Sequence, residues 1–425
     1  MLTIYTALLY FLQPLIWIRL WLRGRKSSSY RQRWGERYGF CTEKVKTKGI
    51  LLHAVSVGET LTAIPLIREL NHRYPALPIV ITTMTPTGSD LAISLLGETV
   101  SHVYLPYDLP GVMSRFFNVT CPKVVIVMET ELWPNMITLL YTRRIPLIIA
   151  NARLSERSAR LYKKFDTFTK CLLQRITLVA AQSIEDGERF IELGLKRSQL
   201  VVTGSLKFDV SVMPELIAKA MQLRSQWILN NRSIWIAAST HKGEEKIILN
   251  AHCKLLKRFP DLLLILVPRH PERFSSVSCL TKQHNLHYIL RSNGQIPSEH
   301  TQVVIGDTMG ELMLFYAISD IAFVGGSLVK HGGHNPLEPA AHTIPVLMGP
   351  YTFNFKEVCK LLQQGSALIT VTDAESLNHQ ITVLLTDASY RLNSGLYAWN
   401  VLHKNKGALR HLLNLIDPYL VQGDH

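Results

Sequence analysis

Several patterns are missing from this 425-residue sequence, and each absence removes a class of explanation. Its six cysteines (Cys41, Cys121, Cys171, Cys253, Cys279 and Cys359) include no Cys-x-x-Cys pair. Neither a zinc site nor a disulfide framework is therefore expected, and scattered reduced thiols fit a cytosolic body. No Gly-x-Gly-x-x-Gly or Walker A sequence occurs, which weighs against dinucleotide and P-loop chemistry. Asp-x-Asp is also missing, so no metal–diphosphate clamp is evident, and neither a metal nor a cofactor is expected. No stretch is of low complexity. Acid is the scarcer charge, with 32 Asp and Glu against 46 Lys and Arg, for a net +14.

The positive excess is concentrated. Arg19, Arg23, Arg25, Lys26, Arg31, Arg33, Arg37, Lys44, Lys46 and Lys48 face only Glu36 and Glu43 over one short segment. Such a run suits nucleic acid or an anionic membrane surface, and the residues before it discriminate. Leu2–Leu22, LTIYTALLYFLQPLIWIRLWL, is apolar apart chiefly from Gln13, Pro14 and Arg19, and about 20 apolar residues can span a bilayer. No basic stretch precedes it and no small-residue cleavage site follows, so a retained anchor is expected rather than a cleaved signal. Tyr5, Tyr10, Trp17 and Trp21 suit a membrane interface, and the following basic residues place the body on the cytoplasmic side. Nucleic acid is not expected as a partner. The segment is long enough to span the membrane and equally able to lie in its surface.

A chain of this length exceeds one core, so two domains are expected. After the anchor, short apolar runs alternate with amphipathic stretches of ten or more residues. The first series is Ile50–Ala54, Ile79–Thr83, His102–Leu105, Val124–Met128, Leu147–Asn151 and Leu178–Gln182. The second is Ile234–Ala238, Leu262–Val267, Val303–Gly306, Ile321–Val324, Val346–Met348 and Leu368–Val371. Continuous apolar strands separated by helices predict two parallel, doubly wound α/β domains, with ligands at the carboxyl ends of facing strands. The expected divisions are an anchor helix at 1–22, a basic juxtamembrane segment at 23–48, Rossmann-like domains at 49–212 and 213–388, and a helical segment at 389–425 packing back on the first domain.

Four loops carry chemistry. Ser56-Val57-Gly58-Glu59 follows the first strand and opens a helix. There Glu59 is either a capping carboxylate, the commoner role at a helix start, or a base able to take a proton from a hydroxyl. Met128-Glu129-Thr130-Glu131-Leu132-Trp133-Pro134-Asn135 places two carboxylates beside an aromatic residue, either around a sugar or as helix-start acids over a buried tryptophan. Lys207 lies near the hinge, and Pro268-Arg269 follows a strand with a guanidinium able to fork onto phosphate. Met309-Gly310-Glu311 reads as a turn into a helix. The strongest is the segment from Gly325 to Pro339, whose paired glycines admit close backbone approach. Asn335, Pro336, Leu337 and Glu338 there open a helix whose free N–H groups suit a phosphate.

At these residues the sequence resembles the 3-deoxy-D-manno-octulosonate (Kdo) transferases of lipopolysaccharide assembly, over essentially the whole chain. Ser56-Val57-Gly58-Glu59, the Met128–Asn135 segment and Gly332-Gly333-His334-Asn335-Pro336-Leu337-Glu338 carry the resemblance. It implies a metal-independent, inverting GT-B glycosyltransferase whose first Rossmann-like domain binds the acceptor and whose second binds the nucleotide sugar across a cleft. Kdo would pass from CMP-Kdo to lipid IVA at the cytoplasmic side of the cell inner membrane. Two Kdo residues in succession are expected, although one site permits any number. Glu59 is implied as general base, with Glu129 and Lys207 as transition-state stabilisers. Pro268, Arg269, Met309, Gly310, Glu311, Asn335, Pro336, Leu337 and Glu338 are implied to bind CMP. A GT-B enzyme using a UDP-sugar for another envelope lipid is the alternative, and a non-catalytic, membrane-tethered sugar-phosphate binding protein is a more distant one.

Overall fold

The computed structural model describes residues 1–26, 28–41, 45–227 and 232–421. Glu43 and Lys44 of the basic segment, and the last four residues of the 389–425 segment, lie outside them. The chain divides into two compact units, Met1–Asp209 with Lys406–His425, and Val210–Asn405.

The first unit holds β1 (Ile50–His53), β2 (Ile79–Thr83), β3 (Ser101–Tyr104), β4 (Val124–Met128), β5 (Leu147–Ala152), β6 (Leu178–Ala181) and β7 (Leu200–Val202). The second holds β8 (Ile234–Thr240), β9 (Leu263–Pro268), β10 (Tyr288–Leu290), β11 (Val303–Ile305), β12 (Ile321–Val324), β13 (Val346–Met348) and β14 (Leu368–Thr370). The orders are β3-β2-β1-β4-β5-β6-β7 and β10-β11-β9-β8-β12-β13-β14, and every pairing is parallel. Strands such as Val124–Met128 and Ile234–Thr240 are buried throughout, because helices cover both faces and leave no polar side to the sheet. The winding changes direction between β1 and β4 in the first sheet and between β8 and β12 in the second, where β11 also lies between β9 and β10. Ligands of open α/β sheets bind beyond the carboxyl ends of the strands at such a reversal.

At the N-terminus, α1 (Leu2–Lys26) is a single helix containing Pro14. The basic segment behind it is not a free collar. Arg33 Nε bonds the Glu36 carboxylate at 2.7 Å, and its other nitrogens donate to Ser89 Oγ and the His102 carbonyl at 3.0 and 2.9 Å. Arg37 is buried, donates to the Met84 carbonyl and lies with Arg33 over the Tyr104 ring. The second Glu36 oxygen accepts the Tyr104 N–H at 2.9 Å. Arg33 and Arg37 thus fasten the segment to the β3 edge of the sheet and are not available to anionic lipid.

The segment expected as one helical element at 389–425 is two helices. Ala388–Asn405 belongs to the second unit and Ala408–Val421 to the first. Gly407, with φ +114°, turns the chain between them, and Asp209 accepts the N–H groups of Gly407 and Leu409 at 2.8 and 2.6 Å.

Candidate functional site

In the first unit, residues after β1 and β4 converge on the reversal point. α2 (Val57–Arg73) is capped by Ser56, whose hydroxyl accepts the Glu59 N–H. Glu59 answers by folding back. One carboxylate oxygen accepts the Val55 N–H and the other the Ser56 hydroxyl, both at 2.8 Å. The capping role is therefore real. It also fixes a buried carboxylate beyond the carboxyl end of β1, beside the central strand β4. Burial raises the Glu59 pKa, the Val55 and Ser56 hydrogen bonds partly offset this, and the negative charge of Glu129 adds to the rise.

Glu129 follows β4 directly in the left-handed region, φ +58°, its N–H bonded to the Ala150 carbonyl at 2.9 Å. A non-glycine residue there carries a conformational cost of order 1–3 kcal/mol, a burden that concentrates at functional sites. Two residues on, burial pushes the Glu131 carboxyl up to about 7, reinforced by Glu59 and Glu129. The three carboxylates form one electrostatic group. Glu131 carries no separate role in the sequence reading, because its burial is invisible in a polar loop.

Lys207 sits half-buried in the turn Leu206–Phe208. The preceding strand, β7, lies three places along the sheet from β4, about 14 Å at normal strand spacing. The turn folds back over the sheet end, since the Leu206 N–H reaches Asn151 Oδ1 at 3.0 Å beside β4's neighbour β5. Asn151 also has positive φ, +54°, at a register shift between β5 and β6.

In the second unit the glycine-rich segment is built differently from expectation. Gly325 approaches the end of β8 so closely that a Cβ would lie 2.6 Å from the Ser239 carbonyl oxygen, so only glycine fits. The N–H groups that follow are not open to a ligand. The buried Glu244 carboxylate accepts those of Gly326, Ser327 and Leu328 at 2.7, 3.0 and 2.9 Å, and that of His241 at 2.9 Å. The helix at the end of the segment is only Leu337–Ala341. Its first N–H is taken by Asn335 Oδ1 at 3.1 Å. Glu244 and Asn335 thus take the N–H groups of His241, Gly326, Ser327, Leu328 and Leu337 for the protein's own fold.

Arg269 follows β9, its N–H bonded to the Thr240 carbonyl at 3.0 Å. It acts electrostatically on Glu338, which burial pushes up to about 7 against the lowering by Asn335 and Arg269. Pro268, Arg269 and the Asn335–Glu338 turn therefore belong to one locality. Met309 is exposed and Gly310 has φ +82°. Glu311 is held by Arg291 at 2.8 and 3.1 Å, and this ion pair keeps its carboxyl below the usual range. Leu337 is a core residue.

Histidines that sequence reasoning passed over meet here. His241 and His334 face each other Nε2 to Nε2 at 2.9 Å, and His331 stacks on His241 at 4.2 Å. Burial, with neighbouring cationic groups adding to it, holds His241 and His334 down at about 4 and about 3. They are neutral at ordinary pH. His241 stands just after β8, ahead of Gly243, Glu244 and Glu245 at the next helix start, and a lone histidine there carries no signal of its own until the fold brings it to His331 and His334. Among the described residues no three His, Cys, Asp or Glu side chains are grouped to hold a metal ion.

Two parallel, doubly wound units of this kind are the GT-B fold. Residues 237–400 match the family described as glycosyl transferases group 1. Solved structures with this fold include the UDP-GlcNAc 2-epimerase of Neisseria meningitidis bound to UDP-GlcNAc, with TM-score 0.55 at 12% identity, covering 87% of this chain and all of that one. Residues 32–210 match the 3-deoxy-D-manno-octulosonic-acid transferase (kdotransferase) family. The 3-deoxy-D-manno-octulosonic acid transferase of Haemophilus influenzae is 49% identical over 98% of both chains. That of Bordetella pertussis is 33% identical over 98% of this chain and 99% of its own. The chain belongs to the Kdo transferase family and is a glycosyltransferase.

Proposed function

We propose that this enzyme transfers Kdo from CMP-Kdo to the lipid A precursor lipid IVA, at the cytoplasmic face of the inner membrane, by a single inverting displacement. The observation that carries the reading is the buried Glu59 carboxylate, fixed at the β1–β4 reversal beside Glu129 and Glu131. A glucosamine hydroxyl of the acceptor gives its proton to Glu59 as its oxygen bonds the anomeric carbon of Kdo. The bond from that carbon to the CMP phosphate breaks, and CMP leaves with the electron pair. Two of the carboxylate's lone pairs are used by Val55 and Ser56, leaving others for the proton. Burial strengthens it as a base, because a raised pKa moves it toward the operating pH.

Glu129 and Lys207 stabilise the transition state in this scheme. Pro268, Arg269, Met309, Gly310, Glu311, Asn335, Pro336, Leu337 and Glu338 hold CMP, with Arg269 opposing the charge of the leaving phosphate. The neutral His241–His334 pair adds donors near Arg269 without adding charge. α1 attaches the enzyme to the membrane that carries its acceptor.

The test is a transfer assay with purified full-length protein, CMP-Kdo and lipid IVA, with EDTA present, read by mass spectrometry. Mass gains in Kdo units support donor, acceptor and metal independence, and two units support successive transfer. No product, with turnover of a UDP-sugar instead, overturns the donor assignment.

A further inference from the structure

α1 is long and apolar enough to cross a bilayer by length and composition, yet between Tyr5 and Trp17 one face of it has partners in the first unit. Tyr5, Leu9, Gln13, Ile16, Leu20 and Gly24 recur at spacings of three and four and are buried or half-buried, which puts them on one stripe. The polar members of that face have partners in the body. Tyr5 lies close enough to Asp108 for the two to shift each other's titration, and Thr6 Oγ1 donates to Asn135 Oδ1 at 3.1 Å. The Tyr38 hydroxyl donates to Gln13 Oε1 at 2.7 Å and accepts from Trp17 Nε1. The opposite stripe, Ile4, Leu8, Phe11, Leu15, Ile18 and Leu22, is between 49% and 80% exposed.

Length decides between the two arrangements open to such a helix. From Tyr5 to Trp17 the clamped axis runs about 18 Å at 1.5 Å per residue, so the rest of the 25-residue helix falls well short of the hydrocarbon core, about 30 Å thick. A helix clamped to a folded unit over that distance has too little free length left to cross. Spanning would also strip Tyr5, Thr6 and Gln13 of their partners and turn Gln13 to hydrocarbon, where a lone polar side chain is costly.

We propose that α1 lies in the plane of the membrane, clamped to the first unit through Asp108, Asn135 and Tyr38, with the Ile4–Leu22 stripe seated in one leaflet of an anionic bilayer. The occupant follows from charge as well as from apolarity. α1 contains no acidic residue, and Arg19, Arg23 and Arg25 are exposed along it. Arg25 lies over the Trp21 ring at 4.3 Å, where an aromatic belt meets phosphates. The inference rests on the membrane attachment proposed above and deepens it. The same clamp ties membrane seating to the candidate acceptor loop. Asp108 accepts the N–H groups of Asn135 and Met136 at 2.8 and 2.7 Å, at the start of the helix Pro134–Thr142 that follows Glu129–Trp133.

The two arrangements put the N-terminus on opposite sides of the membrane. Thr3 is exposed, and Cys121, Cys171 and Cys279 are exposed thiols of the body. Full-length Thr3→Cys protein, expressed into inner membranes, is treated with a membrane-impermeant maleimide in right-side-out and in inverted vesicles, and labelled peptides are identified by mass. The expected result is labelling of position 3 together with the three body cysteines, in inverted vesicles only. Labelling of position 3 in right-side-out vesicles, with the body cysteines labelled only in inverted ones, overturns the in-plane arrangement and leaves membrane attachment standing. Recovery of the protein in the soluble fraction overturns both.

Discussion

Burial favours the protonated form of Glu59, and the hydrogen bonds it accepts from Val55 and Ser56 work in part against this. Capping and catalysis can be separated by substitution. Glu59→Gln keeps an oxygen for the Val55 N–H, whereas Glu59→Ala leaves the Ser56 cap but removes the carboxylate's bonds to Val55 and Ser56, a loss of about 1 kcal/mol or more. Both variants are expected to lose transfer by about 10²-fold or more, since neither side chain takes a proton, and both keep CMP affinity. Only the alanine form should lose stability to urea. Near-normal turnover of the glutamine form would remove Glu59 from the chemistry. Glu338 supports a pH prediction. Its folded pKa of about 7 lies above the ordinary carboxyl value near 4.3, so the folded chain holds this proton more tightly than the unfolded one. The stability it contributes is complete below about pH 4.3 and is lost as pH rises through about 7. Glu338→Gln, always neutral, should gain on wild type as urea titrations move from pH 5 to pH 8. A constant gap across that range would refute the burial argument.

The elements were legible where the physics is local. Runs such as Ile79–Thr83 and Val124–Met128 are strands at the residues the apolar pattern marks, because a strand buried on both faces must be apolar throughout. β7 and β10 gave no such signal. Each is a three-residue edge strand, partly exposed, and an edge needs neither length nor unbroken apolarity. The glycine segment was legible as a special loop, but its bonds to Glu244 were not. That Glu244 lies against it follows from the β8–β12 neighbour relation, which no local pattern reveals. Four backbone N–H groups depend on this carboxylate, and each left bare in the interior costs about 1–3 kcal/mol. Glu244→Ala should therefore destabilise the second unit by several kcal/mol and weaken CMP binding together with it. Calorimetric CMP titration and urea unfolding of the same variant check this. Unchanged stability would mean that water or another group satisfies the loop.

Across the whole molecule, the first unit is completed by residues that come last in the chain. Leu412, Leu413, Ile416 and Leu420 join the same core cluster as Ile64, Ile67 and Ile81, and full burial of such side chains contributes about 1.5–3 kcal/mol each. Asp417 adds bonds to Tyr74 Oη and Arg73 at 2.8 and 3.2 Å. Asp209 sits where the chain first leaves this unit and holds the N-terminus of the returning helix through Gly407 and Leu409. Hydrogen bonds to a charged acceptor are worth about 1.5–3 kcal/mol, so Asp209→Ala should free the start of the returning helix without unfolding the core it packs on. The expected signature is faster amide hydrogen exchange at Gly407 and through the first turns of Ala408–Val421. Exchange in Leu216–Asn405 stays unchanged, as does that in β1, β4 and β5. Exchange that accelerates equally in both units would mean that Asp209 supports the fold as a whole. No acceleration anywhere would mean that the apolar face of the last helix suffices to seat it.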